Sequence, residues 1–343
     1  MYEQFFGFRE RPFDLTPNPR YLVLTDSHRE AISNLEYAIA SRKGLTLLIG
    51  EAGSGKTTVI RTAIERQSAK VHCVNLHNPT LTRDEFVEML AARFGLSAEA
   101  TRSKSAMLLE LEALLKRRHA DDETTVLIID EAQSLPLDLL EEIRLLANIE
   151  TDELKLLSVI IAGQPELADR LNEQSLRQLK QRIALRCQLR QLTLPETAGY
   201  IAGRIRAAGG VGAQVFTREA VALIHKRSQG IPRTISVIAD NALLGGFAAG
   251  QRPVASQLVE DVCRDFDLHE SARPIAPPAL PPAAPVVADA AIVATAPPRL
   301  IVPASTGREP GSEQAAGMDP AAEGPPAAEV AAAKRKRFSF FWN

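Results

Sequence analysis

The sequence predicts an α/β fold: a parallel sheet with helices on both faces, followed by a small all-helical lid and a disordered C-terminal tail. Three observations carry this. Short, fully apolar runs such as TTVLIID and LKLLSVIIA alternate with helix-patterned stretches, and such runs need cover on both faces. The polar residues with chemical potential follow these runs, at the strand ends where open α/β sheets bind ligands. After Pro195 the strand pattern stops and only helical periodicity remains.

Residues 1–25 form an aromatic and proline-rich arm, with Phe5, Phe6, Phe8, Pro12, Phe13, Pro17, Pro19 and Tyr21. Proline at this density excludes a helix after Arg11 and predicts an extended segment packing its aromatics on the domain that follows. Residues 26–194 are read as the α/β core. A helix at Ser27–Ser41 leads into a strand at Leu45–Ile49, a glycine-rich turn, and a helix from Lys56 to about Gln67. A strand at Lys70–Asn75 and helices at Thr82–Phe94 and Ser103–Arg118 follow. Then come strands at Thr124–Asp130, Leu154–Ala162 and Ile183–Leu192, with a helix at Pro136–Asn148 after the first of them. Residues 195–268 read as helices at Glu196–Ala207, Thr217–Ser228, Pro232–Phe247 and Val254–Phe266. Alanine and proline dominate 269–333, a composition that cannot bury enough apolar surface to offset the entropy of ordering. Residues 334–343 reverse that character: KRKR followed by FSFFWN.

The net charge is −2, so no global basic excess points to nucleic acid. Three distant cysteines without a C-x-x-C pair suit a reduced compartment, and the first residues lack the apolar segment of a signal peptide. No long apolar run predicts a transmembrane helix. The expected location is cytoplasmic.

The chemistry centres on GEAGSGKTT: Gly50, Glu51, Ala52, Gly53, Ser54, Gly55, Lys56, Thr57 and Thr58. Gly50, Gly55, Lys56 and Thr57 fit G-x-x-x-x-G-K-[ST] between a strand and a helix. Glycines let backbone N–H groups close around an anion, and the helix N-terminus adds further donors. Lys56 can reach the β- and γ-phosphates of a nucleoside triphosphate, and the Thr57 hydroxyl can ligate Mg²⁺. Asp130 and Glu131 end an apolar strand expected beside this loop. Asp130 suits Mg²⁺ and Glu131 suits an attacking water. Gln164, ending the next strand, can touch the γ-phosphate or that water. Asn75 and Asn78 can hold Glu131 when no ligand is bound, or simply form turns. Arg177, Arg182 and Arg186 offer an arginine that acts on a neighbouring subunit's site. Arg233, in GIPRT at a helix N-terminus, is a cation where an anionic partner is wanted. The six histidines show no metal-ligand spacing and are assigned to surface or core.

GEAGSGKTT, LIIDEAQ, GQPEL and GIPRT together resemble the AAA+ ATPases. The opening FGFRERPFDLTPNPRYL narrows the resemblance to secretion ATPases of the general secretion pathway A type and their exosortase- and pilus-associated relatives, over about residues 1–268. The resemblance implies an AAA+ P-loop sheet with a helical lid, ATP and Mg²⁺ as cofactors, and assembly into a homo-oligomer. It makes Lys56 and Thr57 Walker A, Asp130 and Glu131 Walker B, Gln164 sensor 1, Arg182 the leading finger and Arg233 sensor 2. Secretion members commonly continue through a transmembrane helix into a peptidoglycan-binding part. Here the linker leads to KRKRFSFFWN, and the expectation is a peripheral protein at an inner-membrane complex or an anionic membrane surface. The competing expectation is a nucleic-acid-dependent ATPase like the AAA+ regulators of transposition. The acidity of the chain favours the first.

Overall fold

A computed structural model describes residues 1–15, 23–76, 81–152 and 154–267. The expected linker from 269 and the basic-aromatic tail lie outside the described residues, as does Asn78. Contacts gather Met1–Pro274 into one compact unit.

The chain opens with α1 (Tyr2–Phe6) and continues through α2 (Asp26–Ala40), β1 (Leu45–Ile49), α3 (Lys56–Glu65), β2 (Val71–Leu76), α4 (Arg83–Phe94) and α5 (Lys104–Ala120). β3 (Thr124–Ile129), α6 (Leu137–Leu146), β4 (Leu157–Gly163), α7 (Pro165–Arg170), α8 (Arg177–Gln181) and β5 (Ile183–Gln188) complete the sheet region. α9 (Leu194–Ala207), α10 (Arg218–Ser228), α11 (Pro232–Ala248) and α12 (Ser256–Asp265) follow.

The five strands run parallel in the order β2-β3-β4-β1-β5. β4 therefore lies between β1 and β3, and the acidic end of β3 still comes against the glycine-rich loop, as the sequence suggested, by reaching across the end of β4. Side chains alternate across the sheet. Leu45, Leu47, Ile49, Leu127, Ile129, Val159 and Ile161 join one core with α4, α5 and α6. Leu48, Val126, Ile128, Ile160 and Ala162 join the other with α2 and α3. Capping boxes at Thr82–Glu85 and Thr193–Glu196 start α4 and α9, each satisfying helix-end N–H groups reciprocally.

The arm differs from its expectation in two ways. Tyr2–Phe6 is helical, ended by Gly7 at φ 76°, since the prolines begin only at Pro12. Its aromatics do not cover the sheet. Tyr2, Phe6, Phe8 and Phe13 are buried with Ile205, Phe216, Ile235, Ile238 and Leu243 in the core of the C-terminal helices. The Tyr2 hydroxyl donates to Asp240 on α11. Phe6 stacks on Phe8, and Phe13 meets Phe216 edge to face. Two strands are shorter than the apolar runs. β4 starts at Leu157 because Thr151 and Leu154 close a turn on each other. β5 ends at Gln188, after which Leu192 turns into the core shared by the arm and the C-terminal helices.

Candidate functional site

A cleft of about 380 Å³ opens between the C-terminal end of β1, the later turns of α9 and the first turns of α11, a volume suited to a small ligand. Its floor is the loop between β1 and α3. Gly53 and Gly55 take φ 78° and 100°, conformations that only glycine adopts without strain. Gly55 is the N-cap of α3, so the helix's free N–H groups and the positive end of its dipole face the cleft.

Lys56 is almost fully buried, with 4% of its surface exposed. Among the described residues its ammonium donates only to the Gly50 and Glu51 carbonyls, at 2.9 and 3.2 Å. A buried cation facing neutral acceptors lacks a counter-charge, and a polyphosphate supplies one. The Thr57 hydroxyl donates to Asp130 Oδ2 at 2.7 Å, joining α3 to the end of β3 across the intervening β4. Asp130 Oδ1 accepts the Glu131 N–H at 2.9 Å. A hydroxyl and a carboxylate in contact at the foot of an anion cradle form a donor set that fits Mg²⁺.

Glu131 stands at φ 55°, a left-handed backbone uncommon for a residue with a Cβ. Its carboxylate is exposed and accepts from Gln133 Nε2 at 2.6 Å and from Gln164 Nε2 at 3.4 Å. Gln133 Oε1 accepts the Gln164 N–H at 3.1 Å, so both ends of one amide tie the β3 end to the β4 end. Arg170 donates to the carbonyls of Gln133 and Leu135, at 2.6 and 2.8 Å, and steadies that turn. Among the described residues Asn75 makes no bond to Glu131. Gln133 holds the place expected for an asparagine.

Arg233 lines the cleft opposite the loop, and its N–H donates to the Gly53 carbonyl at 3.2 Å. The two backbones approach so closely that a Cβ on Gly53 would stand 2.5 Å from Arg233 Cβ. The arm reaches the same cleft through Asp14 and Leu15. Buried Arg204 fixes it there, donating to the Pro12 and Asp14 carbonyls at 2.6 and 2.8 Å and to the Tyr200 hydroxyl at 2.6 Å.

Gly50 to Thr58, Asp130, Glu131, Gln164 and Arg233 thus converge. Arg177, Arg182 and Arg186 do not. Arg182 precedes Ile183, which pairs with Leu45 at the start of β1, so it lies at the opposite end of the sheet from the loop. All three are exposed. Sequence patterns do not single out Gln133. A lone polar residue has no periodicity to betray it, although Gln133 does sit in the same strand-end run as Asp130 and Glu131.

Residues 39–171 match the family described as an AAA domain. Over 254 residues the chain is 38% identical to general secretion pathway protein A of Aeromonas hydrophila, covering 74% of this chain and 46% of that one. The fold is the AAA+ fold, and the chain resembles general secretion pathway protein A. It spans about half the length of that curated relative. Among solved structures, this chain is similar to the ORC2 protein of Aeropyrum pernix in its ADPNP–ADP complexes, with a TM-score of 0.55, 19% identity, and 75% and 72% of the two chains covered. It is also similar to Cdc6p of Pyrobaculum aerophilum, with a TM-score of 0.55, 15% identity, and 74% and 70% covered. At such identities the likeness is one of fold. The AAA+ fold implies nucleotide binding. No helix among the described residues is long and apolar enough to cross a membrane.

Proposed function

We propose that this AAA+ chain binds ATP with Mg²⁺, hydrolyses it, and serves as a motor or assembly ATPase for envelope secretion or export. The observation that carries the reading is the joined pair Thr57–Asp130 beside a buried, anion-seeking Lys56. Lys56 and the loop N–H groups would hold the β- and γ-phosphates. Thr57 and Asp130 would hold Mg²⁺, which supplies charge neutralisation on the phosphates. Glu131, released from Gln133, accepts a proton from the attacking water at a carboxylate oxygen. Gln164, within reach of Glu131, reports on the same water. Residues 195–268 act as a lid, with Arg233 reaching the phosphates across the Gly53 contact.

Arg182, far from its own loop, acts only on a neighbouring subunit, which requires a homo-oligomer. The resemblance to general secretion pathway protein A supports a membrane-complex partner, with residues 334–343 as the attachment. A second reading has one supporting observation. From Gln174 to Pro195 there is no Asp or Glu, and Arg177, Lys180, Arg182, Arg186 and Arg190 are all exposed, a basic strip suited to nucleic acid. ATPase stimulation by added DNA, lost with salt, would favour it.

The test separates binding from turnover. Lys56→Ala should lose ATP affinity, whereas Glu131→Gln should bind ATP and turn it over about a hundredfold or more slowly. Equal hydrolysis by Glu131→Gln and the wild type would remove Glu131 from the reaction.

A further inference from the structure

His28, on the first turn of α2, lies against the cleft floor with 4% of its surface exposed, and nothing in the proposed reaction uses it. Both ring nitrogens are engaged. Nε2 is 3.0 Å from the Ser54 carbonyl oxygen, and Nδ1 is 2.6 Å from Thr25 Oγ1. A carbonyl only accepts, so Nε2 carries the proton. The neutral ring then accepts at Nδ1, and the Thr25 hydroxyl donates. Burial favours that neutral form by lowering the ring's proton affinity, against the opposing pull of the Ser54 carbonyl and of Glu196.

Thr25 sharpens the point. It is the N-cap of α2, where a threonine hydroxyl ordinarily accepts a helix N–H, yet its side chain caps nothing. The hydroxyl is turned to the ring and to Ser27 Oγ, at 3.1 Å. A relay of three groups, Thr25 to His28 to Ser54, therefore ends on the backbone of the phosphate loop. In a trans peptide the C=O and N–H point in opposite directions. Drawing the Ser54 carbonyl toward the ring turns the Gly55 N–H the other way, into the loop. The ring also bounds the space behind Gly55, since a Cβ there would stand 3.2 Å from His28 Nε2.

We propose that His28 is a positioning residue for the phosphate-binding loop: its Nε2–H holds the Ser54–Gly55 peptide in the orientation that aims the Gly55 N–H at an anion. This rests on the nucleotide reading above. The ligand class is a nucleoside polyphosphate, and the step His28 serves is ground-state binding. The neutral ring needs no titration to do this.

The test uses the full chain and a fluorescent ATP analogue, with the melting temperature measured without nucleotide. His28→Leu removes the donor at similar volume, His28→Gln offers an amide N–H at the Nε2 position, and Thr25→Val removes the group that fixes the ring. His28→Leu should raise the dissociation constant and KM about ten- to a hundredfold while leaving kcat within about threefold. His28→Gln should recover most of the affinity, and Thr25→Val should fall between. A ring that only fills space would lower the melting temperature in each variant and leave the affinity of the folded protein alone. The proposal is overturned if His28→Leu binds the analogue like the wild type, or if His28→Gln binds as weakly as His28→Leu. A wild-type chain that binds no analogue overturns the nucleotide reading itself, and the role of His28 with it.

Discussion

Gly53 joins the phosphate loop to α11, and Gly53→Ala probes that joint directly. The backbone there sits at φ 78°, where an L-residue pays about 1–2 kcal/mol. Restricting the unfolded chain returns about 0.4–1 kcal/mol, leaving a net loss of about 1 kcal/mol in stability. Gly95→Ala has the same strain at φ 69° but meets nothing within 4 Å, so it isolates that part. At Gly53 the new Cβ would also stand 2.5 Å from Arg233 Cβ, where carbon contacts settle near roughly 3.5–4.0 Å. The start of α11 must therefore retreat by about 1 Å or more. That breaks the 3.2 Å bond from the Arg233 N–H to the Gly53 carbonyl and, on the proposed role of Arg233, draws its guanidinium from the phosphates. A lost charge-assisted bond is worth about 1.5–3 kcal/mol, or roughly a 10- to 150-fold weaker dissociation constant. Titration with a fluorescent ATP analogue, beside denaturant unfolding, reads both quantities. The reasoning fails if Gly53→Ala binds as tightly as the wild type, or if Gly95→Ala weakens binding equally.

Three further outcomes follow from the same geometry. With Arg182 acting in trans, ATPase rate per subunit rises with concentration, and mixing Arg182→Ala with Lys56→Ala subunits restores activity; a flat rate without complementation argues for a monomer. Four cations at Lys334–Arg337 are worth about 4 kcal/mol of attraction to anionic lipid before ordering costs, so the full chain should pellet with anionic liposomes, less so in salt, and a chain ending at Ala333 should not; equal pelleting of both removes the lipid version. Burial lowers His28 from its ordinary value of 6.5, so the unfolded chain takes up that proton first. Stability should be full above about pH 6.5 and decline as pH falls toward the depressed folded value, with His28→Gln flattening the decline; an unchanged slope would exclude His28 as its source.

The parts legible in the sequence are those where chemistry dictates residue type. An anion cradle needs glycines at Gly53 and Gly55, a cation at Lys56 and a hydroxyl at Thr57, and they fall in a single run. Asp130 was legible because a carboxylate ending an apolar strand must face a ligand or water. Strand order was not, because nothing local to β4 says that it lies between β1 and β3. The arm was half legible: its aromatics announce burial, but the surface that buries them lies far along the chain. α7 and α8, with six and five residues, are too short to show a period. Gln133 and His28 act as single side chains, and the Gln164 and Ser54 backbone groups they meet come into reach only once the chain is folded.

The burial of the arm among the C-terminal helices has a consequence for biosynthesis. Pro12 and Arg204, joined in the finished fold, are separated by 192 positions. At roughly 5–20 residues per second, a ribosome needs about 10–40 s to cover that distance. Throughout that interval Tyr2, Phe6, Phe8 and Phe13 have no partner, while the sheet between them and their destination is being completed. The nascent chain thus carries a sticky segment that must be shielded or held in loose collapse until α9 to α11 emerge. Expression yield should therefore depend on holdase capacity more than the finished stability suggests. Replacing Phe6 and Phe8 with serine should raise the soluble fraction of chains truncated before α9, while destabilising the complete protein.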